Sequence, residues 1–539
     1  MCGILSIFND ACSFRYEQHF KKGDKRGPDI SSLRCFKGNI ILGFHRLSIN
    51  GLDDESNQPL EINNCILTCN GEIYNYKEIY KLLNIQPETN SDCEVIIHLY
   101  KKFGIEYTLQ ILDGVFAFTL LDLSNDKAYI ARDPYGVRPL FLYKKNKIFM
   151  FSSEIKMISN YIENENDNFQ QVIPGSYYQI NIKPYIAYIE FEKKYTQVPF
   201  SYSVNNLIDI NNENNILKNI NNLFKNAVKK RINNSDREIC CLLSGGLDSS
   251  LVCAIAQQFS DKPIKTYSIG LKDSVDLINA RSVAKHINSE HHEVIVSEEE
   301  FLNAIPDVIY AIESYDTTTV RASVGNYLIS KYIKETTDCK VILNGDGADE
   351  LMGGYLYFSA CNDIFEFDKE CKRLLKDIGY FDVLRSDKSI SSNGLEARTP
   401  FLDRTFVQYY LSLSPLLRSH THNDTIEKYL IRTAFEKENI LPNEVLWRKK
   451  EAFSDGVSGL QKSWSDIIKE YVEMLPNDLL SNINKEYEHN NPTTKEQQYY
   501  RYLFETMYPN CSSIIPYFWM PKFIEATDSS ARTLSIYNS

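Results

Sequence analysis

The chain has 539 residues, more than one compact core normally holds, so we expect at least two domains. Its formal net charge of −12 argues against a surface that coats nucleic acid, and no stretch reads as a membrane span or a signal peptide. The thirteen cysteines form no C-x-x-C pair and no disulfide framework, which predicts reduced thiols and a cytoplasmic location.

The first residues, MCGILSIF, place a cysteine directly after the start methionine. If Met1 is removed, Cys2 carries both a thiol and a free α-amine. An α-amine has a pKa of roughly 7.7–8.0, so near neutral pH it can serve as a base beside the sulfur. The alternative is that Cys2 is only a small core residue, as many free cysteines are.

Short apolar runs separated by turn residues predict a β-rich region over about the first 190 residues. One helix interrupts it, in SDCEVIIHLYKKFG, with Ser91 or Asp92 as its N-cap and Gly104 as its end. The pair Cys65 and Cys69 lies on one face of a predicted strand and has no further ligand nearby, which favours a structural role over a metal site.

Two segments of this region carry polar groups suited to an amide substrate. In NGEIYN, the side chain of Asn70 and the backbone N–H of Gly71 are the pair of donors that an oxyanion hole needs. Arg46 could bind a carboxylate through two parallel hydrogen bonds, and Asp92 could hold an ammonium group. Each residue alone is weak evidence, and an ordinary surface arginine is the alternative for Arg46.

The polar, Asn-rich residues 201–215 predict a linker, and the pattern changes after them. An amphipathic helix follows, with an apolar stripe of Ile216, Ile220, Leu223, Phe224 and Val228. Apolar strands then alternate with helices, which predicts a parallel sheet covered on both faces. Beyond about residue 400 the chain is predicted to be mainly helical.

Two turns at strand ends predict a nucleotide site. In LLSGGLDSS, a strand ends at Ser244, Gly245 and Gly246, and a helix begins, so backbone N–H groups and hydroxyls converge on an anion. The motif is neither a Walker loop nor a dinucleotide fingerprint. Asp248 would suit an anion site through a bridging Mg²⁺, and Asp349 in NGDGADE is a second candidate ligand at the same sheet edge.

Taken together, these motifs resemble those of the glutamine-hydrolysing asparagine synthetases, almost from end to end. The N-terminal part carries MCGI, RGPD, HRLSI, NGEIYN, SDCEVI, LDGVFAF, RDPYGVRPLF and SSEIK. The C-terminal part carries LLSGGLDSS, TTVRAS, GADE, EARTPFLD, EKYLIR and WRKKEAFSDG, and it closes with YYRYLFE and WMPKFIEATDSSARTL, a tail similar to that of the animal-type enzymes.

The resemblance implies two domains. Residues 1–200 would be a class II glutaminase with the four-layer α/β/β/α N-terminal nucleophile fold, 201–215 a linker, and 216–539 a doubly wound, nucleotide-binding synthetase. The implied enzyme is a carbon–nitrogen ligase that makes asparagine from aspartate through β-aspartyl-AMP, with ATP, Mg²⁺ and ammonia from glutamine. No nucleic acid or membrane partner is implied, and the expected oligomer is a homodimer.

The resemblance also assigns roles to individual residues. Cys2 is the nucleophile, Asn70 and Gly71 stabilise the oxyanion, and these two residues bind glutamine together with Arg46, Glu72 and Asp92. ATP binding falls to Leu242, Ser244, Gly245, Gly246, Asp248, Ser249, Ser250, Ile269, Asn344, Gly345 and Lys450. Aspartate binding falls to Thr318, Thr319 and Arg321, Mg²⁺ to Asp248 and Asp349, and formation of the intermediate or deprotonation of ammonia to Asp346.

Three positions depart from the usual family pattern. Asn344 and Asp346 stand where a serine and a glutamate are usual, and Lys25 stands where a histidine is usual. The shorter Asp346 bears on turnover. Competing interpretations are an amidotransferase acting on another carboxylate, an intramolecular β-lactam-forming synthetase, and a catalytically inactive regulator. The EAFSDG and WMPKF segments argue against the first, and an intact Cys2 with Asn70 argues against the second.

Overall fold

Three β-sheets organise the chain: two antiparallel six-stranded sheets in the N-terminal part and one parallel five-stranded sheet in the C-terminal part. The structure is a computed structural model. It describes residues 1–164, 167–184, 186–196, 212–450, 456–459, 462–476, 479 and 486–537. The linker predicted at 201–215 falls mainly outside these ranges and stays a prediction.

The two antiparallel sheets stack face to face. The first has the order β10-β8-β9-β1-β3-β2, and the second β12-β11-β7-β6-β5-β4. Apolar side chains from both, such as Ile4, Phe151, Ala117 and Ile130, form one buried cluster between them. The strands are β1 Gly3–Phe8, β2 Ile30–Phe36, β3 Ile40–Arg46, β4 Leu60–Ile62, β5 Cys65–Ile73, β6 Gly114–Asp122, β7 Lys127–Arg132, β8 Phe141–Lys145, β9 Ile148–Ser152, β10 Asn168–Gln171, β11 Ser176–Lys183 and β12 Ile186–Lys194.

Helices cover the outer face of each of these sheets, as the four-layer fold predicts. The second sheet is covered by α2 Tyr76–Leu83, α3 Val95–Phe103 and α4 Ile105–Ile111. Ser91 caps the 3-10 turn that precedes α3, and Gly104 ends α3, as the sequence indicates. On the first sheet the cover is shorter: α1 Glu17–Phe20 and neighbouring 3-10 turns share a core with helices of the C-terminal part.

The parallel sheet has the order β15-β14-β13-β16-β17, with strands β13 Ile239–Leu242, β14 Lys265–Leu271, β15 Glu290–Val296, β16 Val341–Leu343 and β17 Glu396–Arg398. All its pairings are parallel. Adjacent residues Cys240 and Cys241 belong to different buried clusters, one on each face, so the sheet is doubly wound. The strand order reverses between β13 and β16, where such folds bind ligands.

Helices surround this sheet and form the rest of the chain. The amphipathic helix predicted after the linker is α5, whose residues Ile216, Ile220, Phe224 and Val228 are buried. Helix α5 spans Glu213–Asn233. The other helices are α6 Leu247–Gln258, α7 Val275–Ile287, α8 Glu298–Asn303, α9 Ile305–Ile312, α10 Thr317–Thr336, α11 Ala348–Met352, α12 Ile364–Asp377, α13 Asp382–Ser391, α14 Arg404–Ser412, α15 Pro415–Arg418, α16 Tyr429–Glu436, α17 Asn443–Leu446, α18 Trp464–Glu473 and α19 Lys495–Met507. In the part of the chain that the structure describes, no helix has the length and apolar character to cross a bilayer.

Candidate active sites

Cys2 and Asn70 lie in contact at one end of the stacked sheets. Cys2 directly precedes β1, and β1 pairs with the end of β3 through Gly3 and His45. The Cys2 thiol donates to the carbonyl of Leu47, with 3.6 Å between Sγ and O. With its amide oriented so that both atoms have partners, Asn70 donates to the Cys2 carbonyl at 2.9 Å and accepts from Arg26 at 3.2 Å. The fold therefore brings together Cys2 and Asn70, which were predicted as functional residues from separate segments of the sequence.

Met1 fills a closed space beside Cys2. Its amine donates to the carbonyl of Leu395 at 3.1 Å, and its side chain is buried. Burial lowers the pKa of this amine to about 5 and raises the pKa of the Cys2 thiol to about 11. A thiol with that pKa is almost fully protonated at neutral pH and attacks poorly. With Met1 in place, the Cys2 thiol is therefore not set up as a nucleophile.

Gly71 and Asp92 lie at the same end of β5. The Gly71 carbonyl accepts from the Cys93 thiol, with 3.7 Å between O and Sγ. The Asp92 carboxylate accepts from the backbone N–H of Ile73 at 2.6 Å. Burial raises the pKa of Asp92 to about 6, so the group is ionised at neutral pH and available to an ammonium group.

Arg46 and Glu72 differ from the sequence expectation. The Arg46 guanidinium donates to the carbonyls of Gly51 and Asp53 and to the side chain of Asn57, so it holds the loop 51–57. The Glu72 carboxylate turns toward the C-terminal domain. It accepts from Asn50 at 2.5 Å and from Asn234 at 3.1 Å, and it pairs with Arg398 at 3.2 Å. In this arrangement Glu72 ties the two domains together and does not present its carboxylate to a ligand.

The loop after β13 forms a closed turn at the N-terminus of α6. The Ser244 and Ser249 hydroxyls are 2.9 Å apart, and the Gly246 N–H donates to Ser244 Oγ at 3.3 Å. Gly245 has φ of +74°, and a Cβ there would come within 2.5 Å of the Ala280 backbone nitrogen, so only glycine fits. The turn places hydroxyls and the positive end of α6 at the switch point of the sheet.

The loop after β16 meets this turn from the other side. A Cβ on Gly345 would come within 2.8 Å of the Ser249 backbone nitrogen, so glycine permits the close approach of the two loops. Asn344 donates to Asp346 at 2.8 Å and to the Ser386 hydroxyl at 2.7 Å. Asp346 also pairs with Arg385 at 3.0 Å. Two of the three residues that depart from the family pattern are thus hydrogen-bonded to each other.

Two carboxylates and two lysines face one another beside these loops. Lys428 lies 2.6 Å from Asp248 and 2.5 Å from Asp349, and Lys450 lies 2.8 Å from Asp349. Burial raises the pKa of Asp349, but the positive charges of Lys428 and Lys450 have the larger effect and hold this pKa below its ordinary value. No role was predicted for Lys428 from its sequence, although it lies in the EKYLIR motif.

One large cavity opens at this point and contacts most of the residues predicted to bind nucleotide. Leu242, Ser244, Gly246, Asp248, Ser249, Ile269, Asn344, Gly345 and Lys450 line it, together with Asp346, Asp349 and Thr318. Arg385 lines it too, and the sequence did not nominate it. Gly245 and Ser250 are not among the lining residues: Gly245 packs against α7, and the Ser250 side chain is buried within the fold. The EAFSDG motif lies, except for Gly456, outside the described residues.

Thr319 and Arg321 do not line the cavity, and their assignment to aspartate stays a prediction. Thr319 donates through its backbone N–H and its hydroxyl to the carboxylate of Asp316, which is the N-cap of α10. Arg321 forms ion pairs with Glu496 at 2.5 Å and with Asp528 at 2.6 Å. The reason is helical spacing. Thr318 faces the cavity, whereas Thr319 and Arg321 point to other sides of α10. Arg321 therefore fixes the C-terminal tail to α10.

Replacing Arg321 with leucine should destabilise the protein by about 3–5 kcal/mol, because it leaves the buried carboxylate of Glu496 without its cationic partner. Urea denaturation measures this effect. The KM for aspartate of the folded fraction should not change. Arg321→Lys keeps the charge but not the two-pronged geometry, so its loss should be intermediate. Unchanged stability with a raised KM for aspartate would restore the substrate role.

The two sites define the class of the protein. A stacked β-sheet domain with an N-terminal cysteine beside an amide donor is joined to a doubly wound domain with a Gly-rich phosphate loop. This combination characterises the two-domain glutamine amidotransferases, which release ammonia at one site and use it at another.

Comparison with known proteins gives the family. Residues 1–192 match the glutamine amidotransferase domain, and residues 219–365 and 362–523 match asparagine synthase. Curated relatives named asparagine synthetase [glutamine-hydrolyzing] include those of Gallus gallus, 44% identical, and Homo sapiens, 43% identical, each over 100% of this chain and 99% of the relative. The chain belongs to the asparagine synthetase family.

Among solved structures, glutamine phosphoribosylpyrophosphate amidotransferase from B. subtilis matches at 15% identity with a TM-score of 0.31. The match covers 55% of this chain and 81% of that one.

Proposed function

We propose that this chain makes asparagine from aspartate in an ATP-dependent reaction supplied with ammonia by glutamine hydrolysis. The observation that carries this proposal is the pairing of two chemically different sites in one chain. Cys2 with Asn70 suits attack on an amide, and the cavity between the loops after β13 and β16 suits a nucleotide. Full-length identity of 43–44% to glutamine-hydrolysing asparagine synthetases supports both assignments.

At the first site the Cys2 thiolate would attack the side-chain amide of glutamine. The α-amine of Cys2, free once Met1 is removed, takes the thiol proton, and ammonia leaves as the γ-glutamyl thioester forms. Asn70 and the Gly71 N–H stabilise the oxyanion, and Asp92 holds the substrate ammonium. Water then cleaves the thioester to give glutamate. In the position seen here, Arg46 shapes the site through the loop 51–57.

At the second site the β-carboxylate of aspartate would attack the α-phosphorus of ATP, and pyrophosphate leaves. Ser244, Gly246 and Ser249 bind the phosphates, with Lys428 and Lys450 balancing their charge. Ammonia then displaces AMP from the β-aspartyl group and gives asparagine. Asp346 faces this cavity and is the group placed to orient or deprotonate the ammonia.

The residues present fit a magnesium ion. Asp248 Oδ1 is buried and, among the described residues, has no hydrogen-bond partner, and Asp349 lies opposite it. Carboxylate oxygens combined with substrate phosphates are the usual protein site for Mg²⁺. Bound there, Mg²⁺ would neutralise charge on the phosphates. We also propose a homodimer and, from the thirteen free cysteines, a cytoplasmic location.

Purified protein should convert aspartate to asparagine with Mg-ATP and either glutamine or ammonium, releasing AMP and pyrophosphate in equal amounts. Chromatography of amino acids and nucleotides from one reaction measures all products. Chelation of divalent ions should stop synthesis and leave glutamine hydrolysis active. Formation of ADP and phosphate, or amidation of a carboxylate other than that of aspartate, would contradict the proposal.

A further inference from the structure

Helix α10 presents one face to the nucleotide cavity, and the side chains of that face form a continuous stripe along it. Thr318, Ala322, Asn326 and Ile329 line it, at the spacing of residues that share a helix face. Eight residues separate Thr318 from Asn326, which is about 12 Å along the helix axis. That length is comparable to the distance from the reactive phosphate of a nucleotide to its base, so opposite ends of the stripe serve different parts of the ligand.

Asn326 is an unusual member of this stripe. The residue is only 5% exposed, and its side chain has no hydrogen bond to any residue that the structure describes. An amide carries two donors and an acceptor, and a ligand that pairs with them forms hydrogen bonds that no described residue supplies. Because Asn326 lines the cavity, a ligand in the cavity is the group that can satisfy it.

The neighbours of Asn326 indicate which part of the nucleotide lies there. Ile329, the next cavity residue of α10, belongs to the same buried cluster as Tyr267 and Ile269 of β14. All three line the cavity, and they offer apolar surface suited to a purine. The phosphate-binding groups lie elsewhere, at Ser244 and Lys450. Asn326 therefore lies at the base end.

We propose that the Asn326 side chain hydrogen-bonds to the edge of adenine that carries the 6-amino group. An asparagine amide pairs with adenine through one donor and one acceptor, a match that a single ribose hydroxyl does not provide. The proposal rests on the ATP-dependent function above and adds a base-reading residue to it. Asn326 would thereby help to set the affinity for ATP.

The test measures equilibrium binding without aspartate or glutamine, so it does not depend on asparagine being made. The probes are ATP, purine riboside triphosphate, which lacks the 6-amino group, and 2′-deoxy-ATP, each with Mg²⁺. Asn326→Leu should weaken ATP binding about 25-fold, the value of two neutral hydrogen bonds. Wild-type protein should bind purine riboside triphosphate about 5-fold less tightly than ATP, and Asn326→Leu should bind the two about equally.

Two controls accompany the variant. Unchanged glutamine hydrolysis by Asn326→Leu shows that the protein is folded. Asn303→Leu, which replaces an exposed asparagine at the end of α8, should leave all three affinities unchanged. Equal weakening of all three nucleotides in Asn326→Leu, or a loss coupled to the 2′-hydroxyl instead of the 6-amino group, would overturn the proposal. So would unchanged ATP binding. If no protein form binds ATP, the proposed function itself fails.

Discussion

Replacing Cys2 with alanine is expected to abolish glutamine hydrolysis, by about 10⁴-fold or more, and with it the synthesis of asparagine from glutamine. The thiol is the nucleophile, and none of the other groups around the amide donor Asn70 can replace it. Synthesis from ammonium should continue near the wild-type rate. The reason is spatial: all phosphate-binding groups lie on the parallel-sheet domain, after β13, and none lies near Cys2.

Steady-state assays of glutamate and asparagine production with each nitrogen source measure these effects. Cys12→Ala is the matched control, because Cys12 is an exposed thiol near the same terminus. It should leave both activities unchanged. Intact mass should show that active wild-type protein has lost Met1. Synthesis from glutamine by Cys2→Ala at near the wild-type rate would remove Cys2 from the mechanism, and so would full activity in protein that retains Met1.

Local sequence patterns predicted the framework of both domains well. The strand endings before Ser244 and Asn344 were recognisable because an apolar run stops at a Gly-rich turn, and parallel strands bring such turns to one edge. Several strands were not predicted individually, among them β2 and β17. β2 is largely exposed and β17 has three residues, so neither has the apolar alternation that identifies a strand.

Residues that act through tertiary contacts were harder to predict. Lys428 and Arg385 contact carboxylates on other elements of the fold. Lys428 lies in the EKYLIR motif, but the motif does not indicate which side chain its lysine contacts. The motif that contains Arg321 presents a related difficulty. A motif names neighbouring residues together, but on a helix neighbouring residues point in different directions, and of the TTVRAS motif only Thr318 and Ala322 line the cavity.

The contacts of Asp346 explain how a short carboxylate could serve where a glutamate is usual. Its side chain is held from two sides, by the Asn344 amide at 2.8 Å and by Arg385 at 3.0 Å. Asn344 in turn donates to Ser386 on α13, so the whole turn is fixed against that helix. These partners orient the carboxylate. Asp346 is one methylene shorter than the usual glutamate, and its partner Asn344 is longer than the usual serine.

Asp346→Asn is therefore expected to lower asparagine synthesis about 10²-fold with either nitrogen source and to leave glutamine hydrolysis unchanged. The substitution removes the charge that pairs with Arg385, and it places a second amide next to that of Asn344. Asp346→Glu should not raise the rate, because its extra methylene displaces the carboxylate from both partners. The double variant Asn344→Ser with Asp346→Glu shortens one partner and lengthens the other, and should recover more synthesis than Asp346→Glu alone.

Rates of asparagine and AMP formation, each with saturating ammonium, measure the series. A large gain in Asp346→Glu would mean that the native chain is an impaired synthetase. Unchanged synthesis in Asp346→Asn would exclude this carboxylate from the reaction.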